Sequence, residues 1–247
     1  MIRSANDHYA FHLARYYSWM TSYEPEHSQM WADWLKQHSL NAPDVGASAL
    51  DLGCGHGLWT RACALAGYDV LGVDLSQLLL DEAATNTEGM NVTLRNNELS
   101  SELQAQTDAL DLVVCTTDTI LHLPDLDTVN TVLDLIVARL KPTGAAVFTL
   151  RDYTTVPQPA ERFIPLAASD SRIAAVMLDF TDTTIIVTDI LMERDSDGMW
   201  SSTAASYPKL RITPTVLASA LAHRGCEVTM QRFDGGLVAL IARPAVL

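Results

Sequence analysis

Residues 49–60 read A-L-D-L-G-C-G-H-G-L-W-T, and this stretch decides the fold. An apolar run from Val45 to Leu52 ends in three alternate glycines, Gly53, Gly55 and Gly57, and a helical pattern starts at Leu58. Glycine serves where the backbone takes positive φ, or where a ligand lies against the chain with no Cβ in the way. A strand, a glycine turn and a helix N-terminus in succession expose backbone N–H groups that suit an anionic group. Asp51 stands just before the turn, where a carboxylate favours an ammonium group and disfavours a pyrophosphate.

The spacing separates two nucleotide-binding readings. A dinucleotide site uses G-x-G-x-x-G, with its third glycine one step later. This chain has D-x-G-x-G-x-G, which disfavours a nicotinamide-linked dehydrogenase. A second acid, Asp74, closes the next apolar run and is followed by Leu75 and Ser76. An acid about 20 residues past the glycine turn, at the end of the second strand, is placed to accept hydrogen bonds from ribose hydroxyls.

Working outward, short apolar runs alternate with helical patterns from residue 47 to 150, which predicts a parallel sheet of βαβ units. Strands are expected near 47–52, 68–73, 91–95, 110–115 and 144–150, with helices over 57–66, 76–86 and 126–140. Upstream, residues 8–39 read as two amphipathic helices broken near Glu24-Pro25, with Trp31, Trp34 and Leu35 on one face as core packing. Downstream, residues 153–165 are irregular, and three β-rich runs at 173–180, 184–193 and 199–210 predict an antiparallel meander. Thr213-Pro214 opens a last helix to about residue 224. Residues 226–233 and 237–243 form a hairpin. The expected fold is α/β and Rossmann-like: a seven-stranded, mostly parallel sheet with helices on both faces and an inserted meander. The expected divisions are 1–44 as a helical cap, 45–150 as the binding core, 151–211 as a β-rich lid, and 212–247 completing the core sheet.

A-L-D-L-G-C-G-H-G (49–57) followed by V-L-G-V-D-L-S (70–76) resembles the first two motifs of the class I S-adenosylmethionine-dependent methyltransferases. L-D-L-V-V-C-T-T-D (110–118) and L-K-P-T-G-A-A-V-F-T-L (140–150) are similar to that superfamily's fourth and fifth strands. The resemblance covers about residues 45–150. It implies S-adenosylmethionine as methyl donor, with Asp51, Gly53, Gly55, Gly57, Asp74 and Leu75 holding it. Where the family commonly has G-D after the third strand to read the adenine, this chain has Asn97, Glu98 and Leu99. The run from Phe11 to Tyr17 is similar to the N-terminal helix that caps the donor in small-molecule methyltransferases, Tyr17 matching its tyrosine. The segment after the fifth strand resembles the substrate lid of the glycine and sarcosine N-methylating group, S-Y-P-K-L-R (206–211) matching a recurring run with Pro208 as a departure.

Composition narrows the acceptor. Sixteen basic against thirty acidic residues in 247 give a formal charge of −14, which repels a phosphate backbone or an anionic membrane and leaves a small molecule. No apolar run approaches the roughly 20 residues of a membrane helix, and the polar N-terminus does not read as a secretory signal, so a cytoplasmic protein is expected. The four cysteines show no C-x-x-C pair, so neither a metal site nor a disulfide framework is expected. Oligomeric state is not written in the sequence.

In open α/β sheets ligands lie outside the carboxyl ends of the strands. Thr116, Asp118 and His122 follow the fourth strand and Arg151 follows the fifth. Thr116 is read as a donor contact. Asp118 and His122, spaced to share one helical turn, are the candidate base or acceptor-positioning pair, His122 having the right chemistry near neutrality. Arg151, with an arginine of the lid, is the candidate clamp for an anionic acceptor. Local capping by Asp118 and His122 is an equally physical reading, and a non-catalytic donor-binding protein is the alternative to an enzyme.

Overall fold

A computed structural model describes residues 5–245, the side chains at positions 5, 6, 10 and 11 excepted. The described chain forms α1 (Ala5–His8), α2 (Tyr17–Thr21), α3 (Pro25–Gln37), β1 (Ser48–Leu52), α4 (Leu58–Leu65), β2 (Asp69–Asp74), α5 (Gln77–Asn86), β3 (Val92–Asn96), α6 (Leu99–Ala105), β4 (Leu110–Cys115), α7 (Leu126–Arg139) and β5 (Leu140–Arg151). It continues with β6 (Phe163–Ala168), β7 (Arg172–Phe180), β8 (Thr184–Arg194), β9 (Trp200–Leu210), α8 (Pro214–Ala222), β10 (Cys226–Arg232) and β11 (Leu237–Pro244). It divides into two compact units. One holds Glu24–Asp152 and Ile212–Leu247, the other Met1–Tyr23 and Tyr153–Arg211.

The larger unit is a seven-stranded sheet in the order β10-β11-β5-β4-β1-β2-β3. The strands from β1 to β5 run parallel, and β11 is antiparallel to both β5 and β10. β4 is buried at all six positions, so the centre of the sheet is covered on both faces, as its sequence, apolar but for Asp111, requires. Strand order reverses between β1 and β4, and that reversal opens a crevice at their carboxyl ends.

The expected core strands and helices are present, with three differences. β5 starts at Leu140, because the K-P-T-G run that ends α7 is drawn into the sheet through a register shift opposite Leu110 and Leu112. Gly144 sits at that shift, where a Cβ would lie 2.7 Å from the Leu110 carbonyl oxygen. A short helix, α6, follows β3 and carries one fully buried apolar side chain, Leu103, too little periodicity to read from sequence. The N-terminal segment expected to act as one cap is divided between the units. α3 packs Trp31, Trp34 and Leu35 into the larger core beside Trp59.

The smaller unit is a four-stranded antiparallel sheet, β6-β7-β8-β9, one strand more than the sequence suggests. The extra strand, β6, lies within and beyond a stretch that three prolines mark as irregular. Pro165 is accommodated because β6 is an edge strand, where a missing N–H breaks no central ladder. Leu13, Tyr16 and Met20 of the N-terminal helical stretch pack on Ala174 and Leu191 of the sheet.

Adding a methyl group against a backbone carbonyl forces the chain to shift, because the oxygen cannot rotate away. Gly144→Ala is therefore expected to destabilise the protein by about 1–3 kcal/mol. The lowered urea midpoint at unchanged slope would show it, whereas an unchanged midpoint would mean that the register shift relaxes freely.

Candidate functional site

The glycine turn leaves β1 with all three glycines at positive φ: +71° at Gly53, +54° at Gly55 and +90° at Gly57. This explains the alternate spacing, since each non-glycine residue between them returns the chain to ordinary φ. The turn is tied to β2 by its own amides. Gly53 and Cys54 both donate to the Val73 carbonyl, at 2.8 and 3.0 Å. Gly55 N donates to Asp74 Oδ2 at 2.9 Å, while Ser76 N donates to Asp74 Oδ1 at 2.8 Å. Asp74 thus joins the loops after β1 and β2 before any ligand is considered, with oxygen lone pairs to spare for further donors. Its carboxyl is raised by burial, with the amides of Ser76 and Gly55 pulling the other way. Leu75, next in sequence, is 44 % exposed at the same strand end.

Asp51 is wholly buried within β1, between Gly72 of β2 and Val114 of β4. Thr60 Oγ1 donates to its Oδ2 at 2.7 Å. Oδ1 is buried and has no hydrogen-bond partner among the described residues. Burial pushes this carboxyl up to about 7, against the opposing bond from Thr60, and the neighbouring Asp74 adds to the rise. Gly72 makes the pairing sterically feasible, because a Cβ there would lie 3.2 Å from Thr60 Oγ1 and 3.2 Å from Cys54 Sγ. Thr60 was not singled out by sequence reasoning. A threonine nine residues past the acid, on the inner face of α4, was the available signal. His56, also in the turn, is driven by burial down to about 4 and is neutral near pH 7. Burial raises the thiols of Cys54, Cys63 and Cys115, which makes them poor nucleophiles.

After β3, Asn97 Nδ2 donates to Glu102 Oε2 at 3.0 Å, and Arg95 Nη1 pairs with Oε1 of the same buried carboxylate at 2.6 Å. Glu98 caps α6 through Ser101 N and the Ser100 hydroxyl. Burial alone would raise its carboxyl, but the hydroxyls and amides of Ser100 and Ser101 outweigh it and hold the group below its usual range. Leu99 is the first residue of α6.

After β4, Thr117 and Asp118 both adopt positive φ, at +54° and +67°, and residues Thr119–His122 form a single 3₁₀ turn. The Asp118-His122 pair therefore does not share an α-helical turn. Thr116 is buried, and its carbonyl accepts the Thr119 hydroxyl at 2.7 Å. Asp118 is buried as well, and its Oδ1 accepts the backbone N–H of Arg151 at 2.8 Å, tying the ends of β4 and β5 together. The Arg151 guanidinium reaches the Gly235 carbonyl at 3.3 Å, while the neighbouring Asp152 pairs with Arg232. His122 is partly buried at the end of the 3₁₀ turn. Tyr17 belongs to the smaller unit, where its ring lies 5.8 Å from that of Tyr9. Among the described residues, no three His, Cys, Asp or Glu side chains gather to hold a metal ion, and no helix is long and apolar enough to cross a membrane.

One strand edge thus presents a buried acid with an unmatched oxygen, a bare glycine backbone, a second acid and an exposed leucine. Residues 49–144 match the family model of the methyltransferase domain. That segment is a methyltransferase domain. The chain is similar to ubiquinone biosynthesis O-methyltransferases. It is 36 % identical to that of Methylococcus capsulatus over 106 residues, covering 42 % of this chain and 43 % of that one. It is 29 % identical to one from Actinobacillus pleuropneumoniae over 148 residues, covering 55 % and 61 %. The chain thus spans about half the length of the curated relatives it matches. A solved S-adenosylmethionine-dependent methyltransferase from Clostridium acetobutylicum shares the fold at a TM-score of 0.74 and 17 % identity, over 94 % of this chain and 97 % of that one. An amino pentose methyltransferase from Micromonospora echinaspora does so at 0.66 and 19 %, over 93 % and 92 %.

The residues present fit the donor. The unmatched Asp51 Oδ1 is an acceptor of the kind an ammonium group satisfies, and the glycine turn has no side chains to obstruct a close approach. Asp74 and Leu75 offer a hydroxyl acceptor and an apolar surface side by side.

Two consequences of the buried acid can be measured. The folded-state value of Asp51 lies above its unfolded value, so its contribution to stability is complete below about pH 4 and is lost as the pH rises through about 7. Asp51→Asn removes that loss. Its stability relative to the parent should grow from none near pH 4 to as much as about 4 kcal/mol near pH 8. Denaturant titrations that run parallel for the two proteins across this range would refute a buried titrating acid. S-adenosylmethionine affinity of the parent should meanwhile fall by up to about tenfold per pH unit below 7, because protonation removes the charge that an ammonium group needs. Calorimetry in buffers of different ionisation enthalpy would register the linked proton release, and its absence would detach Asp51 from donor binding.

Proposed function

We propose that the chain transfers a methyl group from S-adenosylmethionine to a hydroxyl or amine of a small molecule. The observation that carries the reading is the Asp51 carboxylate, buried with one oxygen unmatched beneath a glycine turn that Asp74 holds in place. Bound there, the donor supplies a methyl group already activated by sulfonium. The protein then has to orient the acceptor and keep water away. Asp51 and the turn Gly53–Gly57 would hold the amino-acid end, Asp74 the ribose, and Leu75, Asn97, Glu98, Leu99 and Thr116 the surroundings of the base. Tyr17 would cap the donor from the N-terminal stretch. Because Glu98 already caps α6 and Asn97 braces Glu102, their contribution to adenine contact is made through backbone groups and shape.

On the acceptor side, Asp118 acts as a positioning residue through the Arg151 amide, and His122 and Arg151 frame the ends of β4 and β5. Residues 151–211 would form the substrate lid. The small-molecule class rests on the net charge of −14 and on the similarity to ubiquinone biosynthesis O-methyltransferases, with an amino sugar as the acceptor suggested by the amino pentose enzyme of the same fold. A carboxylate on the acceptor would find its counter-charge in Arg151.

The reading predicts that Asp74→Ala weakens S-adenosylmethionine binding by about 1–3 kcal/mol, or roughly 5–150-fold in Kd. The loss combines the ribose contact with release of the Gly55 amide, so Asp74→Asn, which keeps one acceptor oxygen, should lose less. Methyl transfer from labelled donor to a panel of phenols, catechols and amino sugars tests the activity itself. Tight donor binding with no transfer to any of them would favour a donor-binding protein without catalysis.

A further inference from the structure

Among the described residues, the sheet of the smaller unit is covered on one face. There Leu13, Tyr16 and Met20 pack on Ala174 and Leu191, and His8 Nε2 lies 2.6 Å from Oδ2 of the buried Asp189. Successive strand residues point to opposite faces, so the pairing register fixes what the other face carries. Ile173, Ala175 and Met177 of β7 lie on it, opposite Met192, Ile190 and Thr188 of β8. Ile173, Met177 and Met192 are 39, 37 and 38 % exposed, and Trp200 of β9, on the same face, is 47 % exposed. Over the small Ala175 the surface sinks into a hollow of about 260 Å³, walled by apolar side chains that include Phe163 and Leu166 of β6.

Charge says what fits this face. The chain has thirty acidic and sixteen basic residues, yet on β7, β8 and β9 this face holds one of each. Asp179 stands at one end of it and Arg194 at the other, both exposed. The face is therefore neutral in a chain of formal charge −14, and its two ends are opposite in sign. A second copy turned about a two-fold axis across the strands would set each Arg194 over the other copy's Asp179. An isologous contact needs this kind of self-complementarity. Such a rotation also keeps the strands of the two sheets nearly aligned, the common arrangement of a β-sandwich. Size agrees. Four strands about 4.8 Å apart, with about 3.3 Å per residue over the nine residues of β7, present roughly 600 Å². Two such faces bury about 1,200 Å², which reaches the range of stable assemblies, roughly 1,200–2,000 Å². A small molecule would fill the hollow and leave the rest wet, and an anionic membrane would meet a single guanidinium where it favours a basic rim.

We propose that the chain forms a two-fold symmetric dimer in which the open sheet faces of two smaller units pack on each other as a β-sandwich. Met177 and Met192 of each copy enter the apolar layer between the sheets, where unbranched, adaptable side chains fill an irregular surface such as the hollow over Ala175. The dimer concerns the smaller unit alone and stands or falls apart from the methyltransferase reading.

The test is sedimentation equilibrium of the full chain from nanomolar to high micromolar concentration, where the parent should show the mass of two chains. Met177→Glu and Met192→Glu each place a carboxylate that a single chain leaves in water and the dimer buries, twice over by symmetry. Each should weaken association by at least about a hundredfold. Met230→Glu makes the same change at a 39 % exposed position of β10 in the larger unit and should leave the dimer intact. Asp179→Arg should weaken association through like charges, and adding Arg194→Asp should restore it to within about tenfold of the parent. A single-chain mass at every concentration overturns the proposal, whatever small molecule then proves to occupy the hollow. So does a dimer that survives both glutamate variants, or one that Met230→Glu dissociates. A double variant that stays as weak as Asp179→Arg overturns the crosswise axis. If the glutamate variants lose their far-ultraviolet circular dichroism, the mass of the parent and the two charge variants decide.

Discussion

A carboxyl group buried between two parallel strands is an expensive thing to build, and the glycine-turn end of the larger unit's sheet is organised around that cost. Asp51 lies in β1 with neighbours on both sides, so it can neither turn to solvent nor be relieved by a change of register. The protein meets one oxygen with Thr60 and leaves the other without a hydrogen-bond partner among the described residues. Thr60 reaches its place only because Gly72 has no side chain, and the glycine turn reaches its place only because Asp74 catches the Gly55 amide. Site and sheet are therefore one construction. The hydrogen-bond set of Asp51 is left open by the fold itself.

The second loop cluster follows a different logic. Around β4 and β5 the polar groups are spent on each other: Asp118 on the Arg151 amide, Thr149 on the Thr117 amide, Thr119 on the Thr116 carbonyl. Consecutive residues at positive φ, Thr117 and Asp118, need such over-determination to persist. This half of the crevice is rigid support, whereas the β1–β2 half keeps acceptor capacity in hand.

The core strands were legible because buried parallel strands are continuous apolar runs, and glycines and prolines punctuate them. Asp51, the glycines and Asp74 were legible because their spacing reflects local backbone geometry. Thr60 was hidden inside a helical pattern, and its partner is known only once β1 and α4 are packed. β6 was hidden by its prolines, which signal a loop in any reading that does not know which strand is an edge. α6 was too short to show a period. The His8–Asp189 contact has no local signature, since only the folded smaller unit joins residues so far apart in the chain. Distance in sequence, more than unusual chemistry, set the limit.

The prolines of the smaller unit have a consequence of another kind. Both outer strands of its sheet carry one, Pro165 in β6 and Pro208 in β9, while the two inner strands carry none. An open sheet margin normally offers a row of unmatched donors and acceptors on which a foreign strand can grow. A proline removes one donor from that row and stiffens the chain beside it, so each margin is a poor template. A unit rich in β-branched and apolar residues is in this way guarded against templated stacking during synthesis and under stress.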